Sequence, residues 1–217
     1  MQPNDVKLDP TATKRAWIFM FGALALYSWP FSFLPRGKQG WAGIAHLLGF
    51  GGVRPAPLQG WILAALVTAM FCWYTMRAFP LVRERVFDWS TIKAVALVFA
   101  FFSGTMEEIW FRMLAMDWSR DHGAGPLVQI LFSAALFGLA HGVWGIFAGK
   151  FRVALGSIIA TGALGAMLAV VYLTSARAVG PCIWSHIMIN VIIEPWLLIA
   201  AMSPRATPSI GSSSATA

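Results

Sequence analysis

Apolar positions in this chain fall into uninterrupted blocks. They show neither the three-to-four spacing of a surface helix nor the alternation of a half-buried strand. Blocks at residues 16–34, 58–79, 91–121, 127–143, 151–173 and 181–202 are each near or above the length that crosses a hydrocarbon layer of about 30 Å as a helix. They predict an all-α, polytopic transmembrane helix bundle of about six spans. The third block extends for roughly 45 Å at helical rise, so its polar end at residues 117–122 is expected at the interface, with Gly104 as a candidate kink. The first block follows Lys14 and Arg15 and looks like the start of a signal peptide. It is long, aromatic-rich and lacks a small-residue cleavage site, which favours an uncleaved span. Residues 1–15 read as a polar N-terminal lead. Residues 35–57 read as a Gly-, Pro- and Arg-rich loop with an interfacial piece near 41–48, and residues 203–217 as a disordered tail rich in Ser, Thr, Pro and Ala. Residues 16–202 then form a single transmembrane domain.

Composition sharpens this picture. Of 217 residues, 58% are hydrophobic and only 12% charged, and the mean hydropathy of +0.68 excludes an ordinary soluble domain, in which about a quarter of residues are charged. The formal charge of +7 is spread between the apolar blocks, so it sets orientation in a lipid bilayer and gives no support to a nucleic-acid partner. Six spans place both ends on one side. That side carries Lys14, Arg15, Arg83, Arg85, Lys93, Lys150 and Arg152, among others, against Arg36, Lys38, Arg54, Arg120 and Arg177 opposite, which assigns it to the cytoplasm. Cys72 and Cys182 lack metal-ligand or redox spacing and indicate neither a disulfide framework nor a zinc site.

Ionisable groups at membrane depth are costly, so each needs a partner or a purpose. Three places stand out. In Glu107-Glu108-Ile109-Trp110-Phe111-Arg112, Glu108 and Arg112 are four apart and can form a helical ion pair, leaving Glu107 as the free carboxylate, suited to act as a general base. The competing view makes all three interfacial charges at the end of a shorter span. The second place is Phe137-Gly138-Leu139-Ala140-His141. A lone histidine there is by default a hydrogen-bonded structural residue. However, the turn at residues 123–126 makes the third and fourth spans a hairpin, with Glu107 roughly 21 Å and His141 roughly 22 Å from it, hence level with each other. In the third place, His186 and Asn190 are four apart on one helix face, continued by Glu194. Both His186 and Asn190 can donate hydrogen bonds to a developing oxyanion, although such a stripe also serves as interhelical glue.

These three motifs, in this order on separate spans, resemble the CPBP family of intramembrane endopeptidases. That family includes the type II CAAX prenyl endopeptidases and the bacteriocin-immunity-type membrane proteins. The resemblance covers residues 91–202. It implies glutamic-type peptide hydrolysis with no cofactor and no metal. Glu107 and His141 would activate water, His186 and Asn190 would stabilise the oxyanion, and Glu108, Arg112 and Phe137 would support the site. The substrate it implies is a membrane-anchored protein or peptide, prenylated or bearing a sorting signal, cleaved near its C-terminal region. The host membrane would be a bacterial inner (plasma) membrane. Met113 follows Arg112 where the family often has glycine, and the chain has fewer spans than the eukaryotic prenyl-protein enzymes, which favours the branch that accompanies exosortase-like sorting systems. With the charge tally, the catalytic level is expected closer to the non-cytoplasmic end of the hairpin. Three alternatives are a zinc-dependent protease using Glu and two His, a non-catalytic immunity or scaffold protein, and a proton-coupled transporter. The transporter is disfavoured by the lack of internal repeats.

Overall fold

The computed structural model describes residues 8–30, 42–43 and 56–203. The tail expected at 203–217 lies outside these residues except for Ser203, as do residues 1–7 of the lead and nearly all of the loop at 35–57. The helices in chain order are α1 (Pro10–Ser28), α2 (Leu58–Ala78), α3 (Pro80–Arg85), α4 (Thr91–Glu108), a π-helical segment (Ile109–Leu114), α5 (Ala115–Asp121), α6 (Pro126–His141), α7 (Val143–Ala148), α8 (Phe151–Thr174), α9 (Gly180–Ile193) and α10 (Trp196–Met202). The described residues contain no strand.

Four helical stretches are long and apolar enough to span a bilayer: Leu58–Ala78, Thr91–Asp121, Pro126–Ala148 and Phe151–Thr174. The pair α9 and α10 makes a fifth if its 63° bend is one broken span. The polytopic helical bundle expected from the sequence is present, with four or five qualifying spans among the described residues against about six expected, and the difference lies at the first block. There α1 starts at Pro10, capped by the Asp9 side chain, and so takes Lys14 and Arg15 into the helix. Those two cations lower its hydropathy, and α1 does not qualify as a span over its described length. Part of the expected polar lead is therefore helical. Large apolar side chains on α2, α6 and α8, such as Leu66, Trp73, Leu131 and Ile159, are exposed. This is the pattern of surfaces solvated by lipid.

Lipid tails are as apolar as the helices, so no hydrophobic force drives helices together in a bilayer and close backbone packing takes its place. The α6–α8 contact is built this way, with Gly138 against Gly162 and the Ile158 carbonyl, and Gly165 against Ala134 and Phe137. A Cβ at Gly138 would fall 2.6 Å from the Ile158 carbonyl oxygen. Gly104 has a related role: a Cβ there would lie 2.9 Å from Ile187 Cγ1, so this glycine lets α4 approach α9. Gly104 itself lies inside α4, which runs on to Glu108, and the change of helical winding comes at the π-helical segment that begins at Ile109. At the far end, Arg177 donates to Asp117 Oδ1 and to Gln129 Oε1, each at 2.5 Å, and Tyr172 donates to Asp117 Oδ2 at 3.1 Å. These bonds pin the α8–α9 connection to the hairpin turn.

The sixth block is one helix in expectation and two in the structure. The break falls at Glu194 and Pro195, which are joined by a cis peptide bond, and proline cannot donate the helical bond needed to continue. Lys93, counted above as a loop charge, is instead buried, and its Nζ donates to the carbonyls of Val191 (2.5 Å), Ile192 (3.3 Å) and Glu194 (2.6 Å). A cation thus satisfies the free carbonyls at the C-terminal end of α9, where the helix dipole is negative.

Gly138→Ala is expected to lower the melting temperature in detergent by several degrees, in line with overpacking costs of about 1–3 kcal/mol. Gly22→Ala, where a Cβ would meet nothing within 4 Å, is the matched control. Equal melting of the two variants would contradict the close-packed α6–α8 contact.

Candidate active site

The end of α4 carries the first motif inward. Glu107, Glu108 and Arg112 are all buried, the last two completely, so they are enclosed by the bundle and do not flank it as exposed charges. Arg112 Nε lies 3.0 Å from Glu108 Oε2, an ion contact rather than an aligned hydrogen bond. The pairing expected from the four-residue spacing is present. Arg112 also donates from its other end to the Gly165 carbonyl at 3.2 Å, and its guanidinium carbon stands 4.7 Å from the centre of the Phe137 ring. One buried cation therefore meets a carboxylate, a carbonyl dipole and an aromatic face.

Glu108 also serves a second residue: its Oε1 is 2.7 Å from His186 Nδ1. A carboxylate accepts, so Nδ1 carries the proton and Nε2 is turned the other way. His186 Nε2 lies 3.7 Å from Glu107 Oε2, and His141 Nε2 lies 3.7 Å from the same oxygen. The level placement expected from the hairpin is thus realised, and His186 from α9 joins it. His141 Nδ1 meets the Phe137 carbonyl at 2.8 Å, which likewise makes Nδ1 the donor and leaves Nε2 with a lone pair. Glu107 Oε2 has no hydrogen-bond partner of its own.

Phe137 is the floor of this arrangement. Its ring stands 4.5 Å from the His141 ring and 5.6 Å, edge-on, from the His186 ring, besides receiving Arg112. Sequence spacing placed Phe137 in a motif but said nothing of this contact. Asn190 Nδ2 reaches Ser103 Oγ at 3.4 Å; Ser103 was not singled out from the sequence, where it lies in an apolar run without a motif. Glu194 does not continue the helical stripe, because it is the C-terminal cap of α9. It is buried and lines the same cavity.

The π-helical segment follows directly on Glu108. A π turn inserts an extra residue and frees carbonyls from the regular ladder. Here Ser133 Oγ from α6 donates to the Phe111 carbonyl at 2.9 Å. No periodicity in the sequence signals this turn.

The four chemical residues open onto a cavity of about 740 Å³. Its other walls are mainly apolar, with Phe71, Phe79, Phe99, Leu164 and Leu197. The exposed residues Lys150, Phe151 and Arg152 line one end, together with Ser203. His141 lies ~22 Å of helix from the hairpin turn at Pro126 but only ~10 Å from Ala148, so Glu107 and the two histidines are nearer the end shared by Lys150, Ser203 and, through its bond to the Phe147 carbonyl, Arg15. Among the described residues no group of three His, Cys, Asp or Glu side chains is arranged to hold a metal ion.

Residues 89–192 match the family model for the type II CAAX prenyl endopeptidases, Rce1-like. This stretch of the chain is a CAAX-protease-family domain. The match takes in all three motifs, from Glu107 to Asn190, and together with the apolar helices it supports an integral membrane protein. No curated protein and no solved structure matches the chain.

Because Glu108 and Arg112 are wholly buried, removing one partner leaves the other charge uncompensated. Arg112→Ala is expected to cost about 3–5 kcal/mol and to abolish a cooperative thermal transition in detergent, whereas Arg83→Ala at an exposed pair should melt like the wild type. Scanning fluorimetry of both proteins provides the check.

Proposed function

We propose that the protein is a glutamic-type intramembrane endopeptidase that cleaves a membrane-anchored protein near its C-terminal region. The observation that carries this reading is the position of Glu107 Oε2, 3.7 Å from the Nε2 atoms of both His141 and His186 on the wall of a large apolar cavity. A water lying between Glu107 and His141 meets a carboxylate and an imidazole lone pair, both of which accept protons. Glu107 takes one proton as the water oxygen attacks the scissile carbonyl carbon. The carbonyl π electrons move onto oxygen, and His186 and Asn190 face that oxyanion as donors. With Nδ1–H given to Glu108, His186 donates from Nε2 only as an imidazolium. Glu108, hydrogen-bonded to Nδ1, and the oxyanion itself compensate that charge once Glu107 has taken the proton. Collapse of the intermediate breaks the C–N bond, and the proton held by Glu107 passes to the departing amine.

Glu108 and Arg112 hold His186 and the end of α4 in place and do not touch the substrate. The aromatic and aliphatic walls suit an apolar segment delivered from the bilayer, either a prenylated tail or a membrane-anchored sorting signal. The host membrane in this reading is the plasma membrane of a bacterium.

Purified protein in detergent, assayed on membrane-anchored peptides, tests the mechanism. Glu107→Gln and His141→Ala should each lower kcat by at least about 10³-fold, and Asn190→Ala by about 10²-fold with little change in KM, as expected for loss of an oxyanion donor. Wild-type rates in Glu107→Gln would sink the general-base role. Activity is expected to persist in a chelator. Its loss on chelation and return with zinc would overturn the metal-free mechanism in favour of a zinc peptidase.

A further inference from the structure

Two carboxylates line the cavity, Glu107 and Glu194, and the peptidase mechanism uses only the first. Glu194 is 4% exposed, and among the described residues its Oε2 is buried and meets no hydrogen-bond donor. A buried carboxylate oxygen without a donor calls for an explanation. Lys93, the cation bonded at this end of α9, does not supply one. An ammonium has three protons to give, and those of Lys93 go to the carbonyls of Val191, Ile192 and Glu194 itself. Lys93 therefore lends its charge to the end of the helix but no proton to the carboxylate.

The main chain of Glu194 is spent as well. Its N–H closes the last turn of α9 on the Asn190 carbonyl at 2.9 Å, and its own carbonyl takes Lys93. The side chain is thus the polar part left to face the cavity that the residue lines. Its place is one helical turn beyond Asn190, a rise of about 6 Å. A peptide drawn into an apolar cavity leaves water behind, and each of its N–H groups then needs an acceptor. In an extended chain the main-chain groups on one edge recur every second residue, about 6.6–7 Å apart. With the scissile carbonyl at Asn190, a same-edge N–H of that chain comes level with Glu194. The guest brings a donor without an acceptor, and the wall holds an acceptor without a donor.

We propose that Glu194 is a subsite for the main chain of the substrate: its carboxylate accepts the peptide N–H that lies two residues from the scissile carbonyl on the same edge of the extended chain. The inference rests on the peptidase reading for which bond is cleaved, but binding can be read separately. Because Glu194 has no donor to lose within the protein, Glu194→Leu should melt no lower than the wild type in detergent. A marked fall in its melting temperature would make the carboxylate a structural group and overturn the proposal.

The probe is a dansyl-labelled, membrane-anchored apolar peptide in which each amide N–H is replaced in turn by an ester oxygen, bound to full-length Glu107→Gln protein so that it stays intact. One ester position is expected to weaken binding about tenfold, the equivalent of one charge-assisted hydrogen bond. Adding Glu194→Leu should reduce the cost of that ester to less than about twofold, and adding Glu194→Gln, which keeps a carbonyl acceptor, should leave it at about threefold. Mass spectrometry of the all-amide peptide cleaved by the wild type then places this N–H two residues from the broken bond. Ester costs that are the same with and without Glu194, or a coupled N–H at another distance from the broken bond, overturn the proposal while leaving the peptidase reading intact. Coupling in a protein whose wild type cleaves nothing leaves the subsite standing as a peptide-binding site and removes the peptidase reading instead.

Discussion

The structure turns on one carboxylate that is not the proposed base. Glu108 is completely buried and is shared by Arg112 of its own helix and His186 of α9. A charge at that depth is tolerable only with its partners in place. The requirement fixes the register of α4 against α9, and Arg112 extends it to α8 through the Gly165 carbonyl and to α6 through the Phe137 ring. Four helices are thereby located around one ion pair. Glu107, the neighbouring residue, is placed at the cavity wall as a consequence, facing two histidines that the same network orients.

Close packing makes the network possible. The Gly165 carbonyl that Arg112 bonds sits where α6 and α8 meet through glycine and alanine, and α4 approaches α9 at Gly104, where a Cβ would crowd Ile187. Lys93 plays the matching role at the other end of α9, where the chain must turn and its last carbonyls would otherwise be buried without donors. Both devices solve the same difficulty: polar groups inside a bilayer have no water to fall back on.

Much of this was legible from residue order. Helix periodicity put Glu108 opposite Arg112, and the short turn at residues 123–126 placed Glu107 level with His141, because both inferences need only local geometry. The Glu108–His186 contact was not legible: it joins helices far apart in sequence, and the spacing of His186 to Asn190 pointed to a shared face rather than a partner on α4. The π turn and the break at Glu194 also escaped, since hydropathy reports how apolar a segment is and not how its backbone is wound. Over its described residues the first block falls short of a span because its helix includes two cations that lie before the apolar run. Lys93 was misassigned for a related reason, its position at the start of an apolar block being that of a typical flanking charge.

The two sides of the cavity are built from different contacts. On one side α6 and α8 touch backbone to backbone, where a Cβ at Gly138 would clash with the Ile158 carbonyl. On the other, α1 packs through side chains, with Ala12, Ala16 and Met20 buried and Phe19 against the rings of Phe99, Trp144 and Phe147. Added volume is therefore met differently on the two sides: at Gly138 by a carbonyl fixed in a helix, and at Phe19 by rings that have other rotamers to turn to.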